Sequence, residues 1–395
     1  MNINRVVGAI LLIAGSCMGA GMLGLPIVFA VAGFFPSLVI LFGCWLLLVA
    51  LGFLFIEVNL WFSEEVSIVT MAEKTLGKWG KRVGGSLFAL HLYLLMVVYL
   101  IGSGQLVSEF FLKTASLSLS EGWSRLIVTL VFGAFLYLGM ESVDYLNRFL
   151  IAGFCTTYGI MVAMGWKHVN SYHYSFRLDW MAVMYSIPTI AACFGCQNIL
   201  PSLTAYLNRD ALRLRFAVVV GTAIPLVVYL IWNAVILSLI PLSDMQTALK
   251  QGSLATSALS DAVGAQWIVV VADYFVFFAI TTSFLGVGMS LIDFFADGIS
   301  IKKDAKGKGI LCVLTLIPPL FAECILEKSF LSSLSFAGAF GSAVLSGVFT
   351  VAMAWSGRYI HAFGNRPLLP GGKGMLIFLV LVSLFVVTLE FIQQS

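Results

Sequence analysis

"LIAGSCMGAGMLGLPIVF", residues 12–29, lies inside the first long apolar run of a 395-residue chain. Gly15, Gly19, Gly21 and Gly24 follow in quick succession, with Pro26 just behind. Each interior glycine costs a helix roughly 1 kcal/mol against alanine, and a proline about 3 kcal/mol. The run is long enough to cross a membrane, yet its helix breakers sit at membrane depth. There an unpaired backbone group costs several kcal/mol. Such a break persists only where it lines a cavity or is buried in protein.

Composition supports the membrane setting. The chain is 60% hydrophobic and 10% charged, against about 25% charged in a soluble domain. A net charge of +3 gives no reason to expect a nucleic-acid partner; lipid is the expected surrounding. No cleavage-site pattern follows the first apolar run, which is expected to stay as a transmembrane helix. Seven cysteines, nearly all within apolar runs, argue against a disulfide framework. Cys193 and Cys196 form C-x-x-C, but small apolar packing accounts for them without redox or metal chemistry.

About 20 apolar residues cross a bilayer core of about 30 Å. On that rule roughly eleven spans are expected, near 6–32, 36–60, 85–112, 126–142, 148–166, 181–206, 216–240, 266–296, 309–326, 330–356 and 374–392. Alternate loops hold 16 of the 22 Lys and Arg residues, which puts the N-terminus in the cytoplasm. Residues 64–82, "EEVSIVTMAEKTLGKWGKR", have the apolar spacing of an interfacial helix.

A second break falls in the sixth span. In "FGCQNILPS", residues 194–202, Gly195 and Pro201 flank the amides Gln197 and Asn198. If residues 1–166 and 181–356 are two five-helix halves, each begins with its broken helix, and 373–395 is an extra span. Five spans is an odd number, so the halves are inverted, the pattern of a secondary transporter. A broken helix presents free N–H groups at one end and free carbonyls at the other. Held between such poles, a zwitterion is an amino acid. Close packing through small residues is the plainer alternative for the glycines.

"GSCMGAGMLGLP" in span 1, "VDYLNRFL" at 143–150 and "TTSFLGVGMSLIDFFAD" at 281–297 together resemble the hydroxy/aromatic amino acid permease family, its tyrosine permease branch above all. "YLIGSGQLVSE" at 99–109 and "GTAIPLVVYLIW" at 221–232 extend the likeness. The resemblance implies an all-α protein with the LeuT-type fold of two inverted five-helix repeats and eleven helices. It further implies uptake of tyrosine, or tryptophan, across a bacterial inner membrane, driven by protons more often than by sodium, with no organic cofactor.

Residue by residue, the resemblance makes Ala20 and Gly21 backbone donors to the substrate carboxylate, with Gly19 beside them in the substrate site. Ser16 and Cys17, with the Phe194 carbonyl, form the ammonium end. Phe194, Gly195 and Gln197 belong to the side-chain pocket, with Gly102 and Ser103 facing the same cavity and Gly104 leaving room there. Two departures stand out. Relatives carry His where this chain has Gln197, which cannot titrate near neutrality. Several carry Lys in span 5 where Phe154 aligns, and its loss would leave a sodium-sized place open.

For coupling, Glu57 and Asp293 are the first candidates, with Glu109, Asp273, Asp297 and Glu390 behind them. Intramembrane carboxylates are functional by default. Near span ends, though, they also anchor at the interface or pair with basic loops such as Lys302–Lys308. The rival is a sodium site built from the Thr282 and Ser283 hydroxyls and carbonyls near Gly15 and Met18. A serine/threonine permease of the same family is the runner-up. A membrane enzyme or a channel has little support: there is no H-E-x-x-H and no repeated pore loop. G-x-x-x-x-G-K-[ST] is absent, so this chain alone does not drive transport with ATP.

Overall fold

The computed structural model describes residues 3–19, 21–62, 66–165, 179–251, 266–299, 301–326, 329–363 and 367–394. The first half contains α1 (Ile3–Cys17), α2 (Gly21–Ala32), α3 (Phe34–Leu60), α4 (Ile68–Ala115), α5 (Glu121–Leu138) and α6 (Met140–Gly165). The second contains α7 (Trp180–Ala192), α8 (Leu200–Tyr206), α9 (Ala211–Leu239), α10 (Leu242–Gln251), α11 (Gln266–Ile299), α12 (Ala305–Leu326), α13 (Phe330–Tyr359) and α14 (Gly372–Gln394). Among the described residues, nine helices are each long and apolar enough to span a membrane. α1 and α2 together make a tenth span, bent by 57°. The sixth expected span is split into α7 and α8, of 13 and 7 residues.

Local chemistry fixes the ends. The Asp179 and Asp210 carboxylates accept from the first free N–H groups of α7 and α9, and the Ser67 and Ser329 hydroxyls do the same for α4 and α13. Gly33 alone joins α2 to α3, at φ +93°, which a side chain rarely adopts.

The interfacial helix expected over 64–82 is shorter. α4 starts at Ile68 and kinks at Gly77, where φ is +74°, and from Lys78 onward it is already the spanning helix. The Ser356 hydroxyl of α13 donates to the Thr75 carbonyl at 2.5 Å, tying down the turn before the kink. Residues 337–349 of α13 wind as a π-helix, which the sequence pattern did not indicate.

The helices sort into two packed sets. One is formed by α1, α2, α3, α7 and α9, the other by α4, α5, α6, α11 and α12. The π-helical stretch of α13 touches α4 of one set and α7 of the other, and α14 packs along it. Large apolar side chains such as Leu130, Phe149, Phe321 and Phe378 stay exposed on the outer faces, as a lipid-facing surface requires.

Candidate functional site

The two breaks meet at the centre of the molecule. α1 ends at Cys17 and α2 begins at Gly21, while α7 ends at Ala192 and α8 begins at Leu200. The chain from Cys193 to Ile199 turns through short backbone contacts, such as the Cys193 N–H to the Ile190 carbonyl at 3.1 Å.

Tyr229 of α9 joins the breaks. Its hydroxyl lies 2.6 Å from the Cys17 carbonyl and 3.1 Å from the Cys193 carbonyl, donating across both helix ends. Two carbonyls that lost their helical donors thus share one phenol. A second aromatic repairs the other side. Pro26 has no N–H, so the Met22 carbonyl four residues earlier has no donor within α2. The Trp232 indole supplies one at 2.7 Å. The same device recurs in α12, where Pro318 frees the Leu314 carbonyl and the Tyr93 hydroxyl donates to it at 2.6 Å.

Glycine at the breaks is required by contact. A Cβ on Gly21 would lie 2.7 Å from the Tyr229 hydroxyl and 2.8 Å from the Cys193 sulfur. A Cβ on Gly19 would collide with the Ser283 hydroxyl of α11 and lie 3.5 Å from the Tyr99 hydroxyl. Tyr99, Tyr229 and Trp232 were not singled out from the sequence. Aromatic residues in apolar runs look like ordinary core, and for Tyr229 and Trp232 only the unpaired carbonyls opposite them reveal the role.

Several expected placements change. Ser16 is half-buried beside the first break, and Ala20 lies outside the described residues. The Cys17 carbonyl, expected at the ammonium end, is held by Tyr229. Cys17, Cys193 and Cys196 are all buried, free thiols. Phe194 is fully buried with its ring edge-on to Tyr229 at 5.7 Å, so it supports the break as core. Gly102 makes room for Ile280 and Phe330, and Gly104 makes room for Arg125; neither opens toward the break. Phe154 does not leave an open place either. Its ring stacks on Phe275 at 5.1 Å, in a cluster with Tyr158 and Trp232.

Other residues do converge. Ser283 presses on the Gly19 turn from α11. Ser103 is one turn beyond Tyr99 on the same face of α4, since residues four apart in a helix lie above one another. Gly195 faces Ser342 of the π-helix, whose hydroxyl would be 3.7 Å from a Cβ there. Ser103 Oγ, Gln197 Nε2 and Ser342 Oγ are buried and meet no hydrogen-bond partner among the described residues. Thr282, half-buried, donates its hydroxyl to the Ala279 carbonyl at 3.0 Å and keeps its lone pairs. Met18 is half-buried beside the first break, and Gly15 is exposed with open space where a side chain would be.

The carboxylates singled out for coupling sit away from the breaks. Glu57 is held bidentately by Arg358, both contacts at 2.7 Å, and also accepts from the Leu368 N–H at 2.7 Å. Asp293 pairs with Lys303 at 2.7 Å, ten residues, or about 15 Å, along α11 from Ser283. Glu390 accepts from Ser335, joining α14 to α13. Each of the three braces helix ends.

Comparison with known proteins places this geometry. A profile of the tryptophan/tyrosine permease family matches residues 2–390. Tyrosine-specific transport system 1 of Haemophilus influenzae is 30% identical over 390 residues, covering 96% of this chain and 94% of that one. Glutamine transporter 2 of Aliivibrio fischeri is 28% identical over 351 residues, covering 85% and 84%. The crystal structure of the Eremococcus coleocola manganese transporter superposes with a TM-score of 0.62 at 13% identity, over 98% of this chain and 85% of that one. That likeness shows a shared transporter fold.

Proposed function

The chain belongs to the tryptophan/tyrosine permease family, and from that membership we propose that it imports an aromatic amino acid, tyrosine foremost and tryptophan next, across a bacterial inner membrane. It is a multi-pass transport protein and not an enzyme. The observation that carries the reading is the pair of helix breaks stitched face to face by Tyr229.

In this reading the substrate carboxylate meets the N–H groups that open α2 from Gly21. The ammonium meets carbonyls ending α1 and α7 while the Tyr229 hydroxyl keeps the two ends together. The substrate hydroxyl oxygen accepts from Gln197, whose buried amide nitrogen finds no hydrogen-bond partner among the described residues. A buried polar atom without a partner is costly, and a polar substrate supplies what it lacks. Alternating access follows if the set containing α1 and α7 moves against the set containing α4 and α11, the contact at Gly19 and Ser283 being the seam. The order of helices supports two inverted repeats, 1–166 and 181–356, with 373–395 added, and the basic bias of alternate loops favours the N-terminus in the cytoplasm.

Symport with protons is the preferred coupling and sodium the second. The sodium reading keeps Ser283, Thr282 and the carbonyls near Gly15 and Met18 as ligands, but the filled place at Phe154 removes its first motive. The glutamine transporter among the relatives keeps a smaller polar substrate as the alternative, beside serine or threonine.

The test is uptake of labelled tyrosine into proteoliposomes under a proton gradient or a sodium gradient imposed separately. Unlabelled tryptophan, phenylalanine, serine and glutamine serve as competitors. Tyrosine accumulation that tryptophan reduces and serine and glutamine leave unchanged is the expected result. Glutamine or serine uptake without tyrosine uptake would overturn the substrate reading and leave the fold standing.

A further inference from the structure

A groove of about 880 Å³ opens at the basic end of the bundle, between the first turns of α4, the last turns of α13 and the middle of α14. Its walls are apolar, with Val348, Val351, Ala352 and Val380 along them. Its mouth is cationic. Lys74 and His361 line it, and Lys373 stands over the rings of Trp355 and Tyr359 at 6.0 and 5.1 Å. Among the described residues Glu73 is the one carboxylate on its lining, and Lys81 pairs with it at 2.8 Å.

The depth of the groove is set by aromatic residues. Trp355 lines the groove and Tyr359 packs on it at 5.3 Å, amphipathic rings of the kind that gather where hydrocarbon meets water. The volume falls within the range of roughly 300–1,000 Å³ that encloses a single small molecule.

We propose that this groove binds one anionic glycerophospholipid. An acyl chain lies along the α13–α14 wall, and the phosphate sits between Lys74, His361 and Lys373. The charge pattern selects this occupant. Inorganic phosphate gains nothing from the apolar walls, and a zwitterionic lipid brings its own ammonium into a mouth that is already cationic. Basic pockets between transmembrane helices recognise anionic headgroups on the same grounds. A lipid held here clamps the kinked start of α4 onto α13 beside the Ser356–Thr75 contact. The site is independent of the substrate reading and stands if that reading fails.

The experiment is native mass spectrometry of the purified full chain offered equal phosphatidylglycerol and phosphatidylcholine. One phosphatidylglycerol retained several-fold over phosphatidylcholine is expected, unaffected by millimolar inorganic phosphate. The double variant Lys74→Gln/Lys373→Gln should lose that preference. Ala352→Phe, which fills the wall and keeps every charge, should lower retention of both lipids. Circular dichroism confirms that each variant is folded. Equal retention of the two lipids by the unaltered protein would overturn the site, as would unchanged retention in both folded variants. Displacement of the lipid by inorganic phosphate would overturn the acyl part of the proposal.

Discussion

The Tyr229 hydroxyl lies 2.6 Å from the carbonyl oxygen of Cys17, 212 residues away in the chain. It is the contact that turns two weakened helices into one site, because the same hydroxyl also reaches the Cys193 carbonyl. Tyr229→Phe keeps the ring and its packing on Phe194 and removes only the donor. An orphaned buried carbonyl costs about 1–3 kcal/mol. We expect an inserted, folded protein whose tyrosine uptake falls roughly 5- to 100-fold, read as initial rates in proteoliposomes beside the melting temperature. Full uptake at unchanged stability would show that the stitch is dispensable.

Trp232 and Pro26 should behave as a coupled pair. Trp232→Phe strands the Met22 carbonyl that Pro26 already deprives of a helical donor. A loss of about 1–3 kcal/mol is expected. Pro26→Ala restores an N–H to α2, so in that background Trp232→Phe should cost clearly less. A double-mutant cycle in chemical denaturation measures the coupling, and strict additivity would refute it.

Gln197 reads the substrate hydroxyl in this account. Gln197→Leu should raise the KM for tyrosine about 10-fold, the equivalent of one hydrogen bond, and change phenylalanine little. Equal effects on the two substrates would place Gln197 outside the pocket.

Glu57 and Arg358 are expected to hold the structure and not the proton. Removing one partner of a buried pair costs roughly 3–5 kcal/mol. Glu57→Ala should therefore lower the melting temperature and the yield, while protein that remains folded keeps the same coupling ion and the same pH dependence of uptake. A shift in coupling ion without loss of stability would return Glu57 to the transport machinery.

The spans and both breaks were legible because hydropathy and helix-breaking residues act locally. Gly15–Gly24 and Gly195–Pro201 announce themselves in one dimension. What repairs the breaks was not legible. Tyr229 and Trp232 have the pattern of core residues, and their function lies in carbonyls up to 212 residues away. Glycines misled for the same reason. Gly104 suggests space from the sequence alone, but the space belongs to Arg125. The missing lysine at Phe154 suggested a vacancy, and four aromatic rings fill it. The π-helix at 337–349 left only a run of small residues as a trace, which close packing explains as well.

The central claim is that the substrate sits at the first helix break, and the cysteines already present can report it. Cys17 is buried at the end of α1, while Cys155 is exposed on α6. The measurement is the rate at which a membrane-permeant maleimide labels each cysteine of the unaltered protein, read by peptide mass spectrometry with and without saturating tyrosine. The account predicts that tyrosine slows labelling of Cys17 several-fold and leaves Cys155 unchanged. Equal Cys17 rates with and without tyrosine, in protein that transports tyrosine, would contradict it.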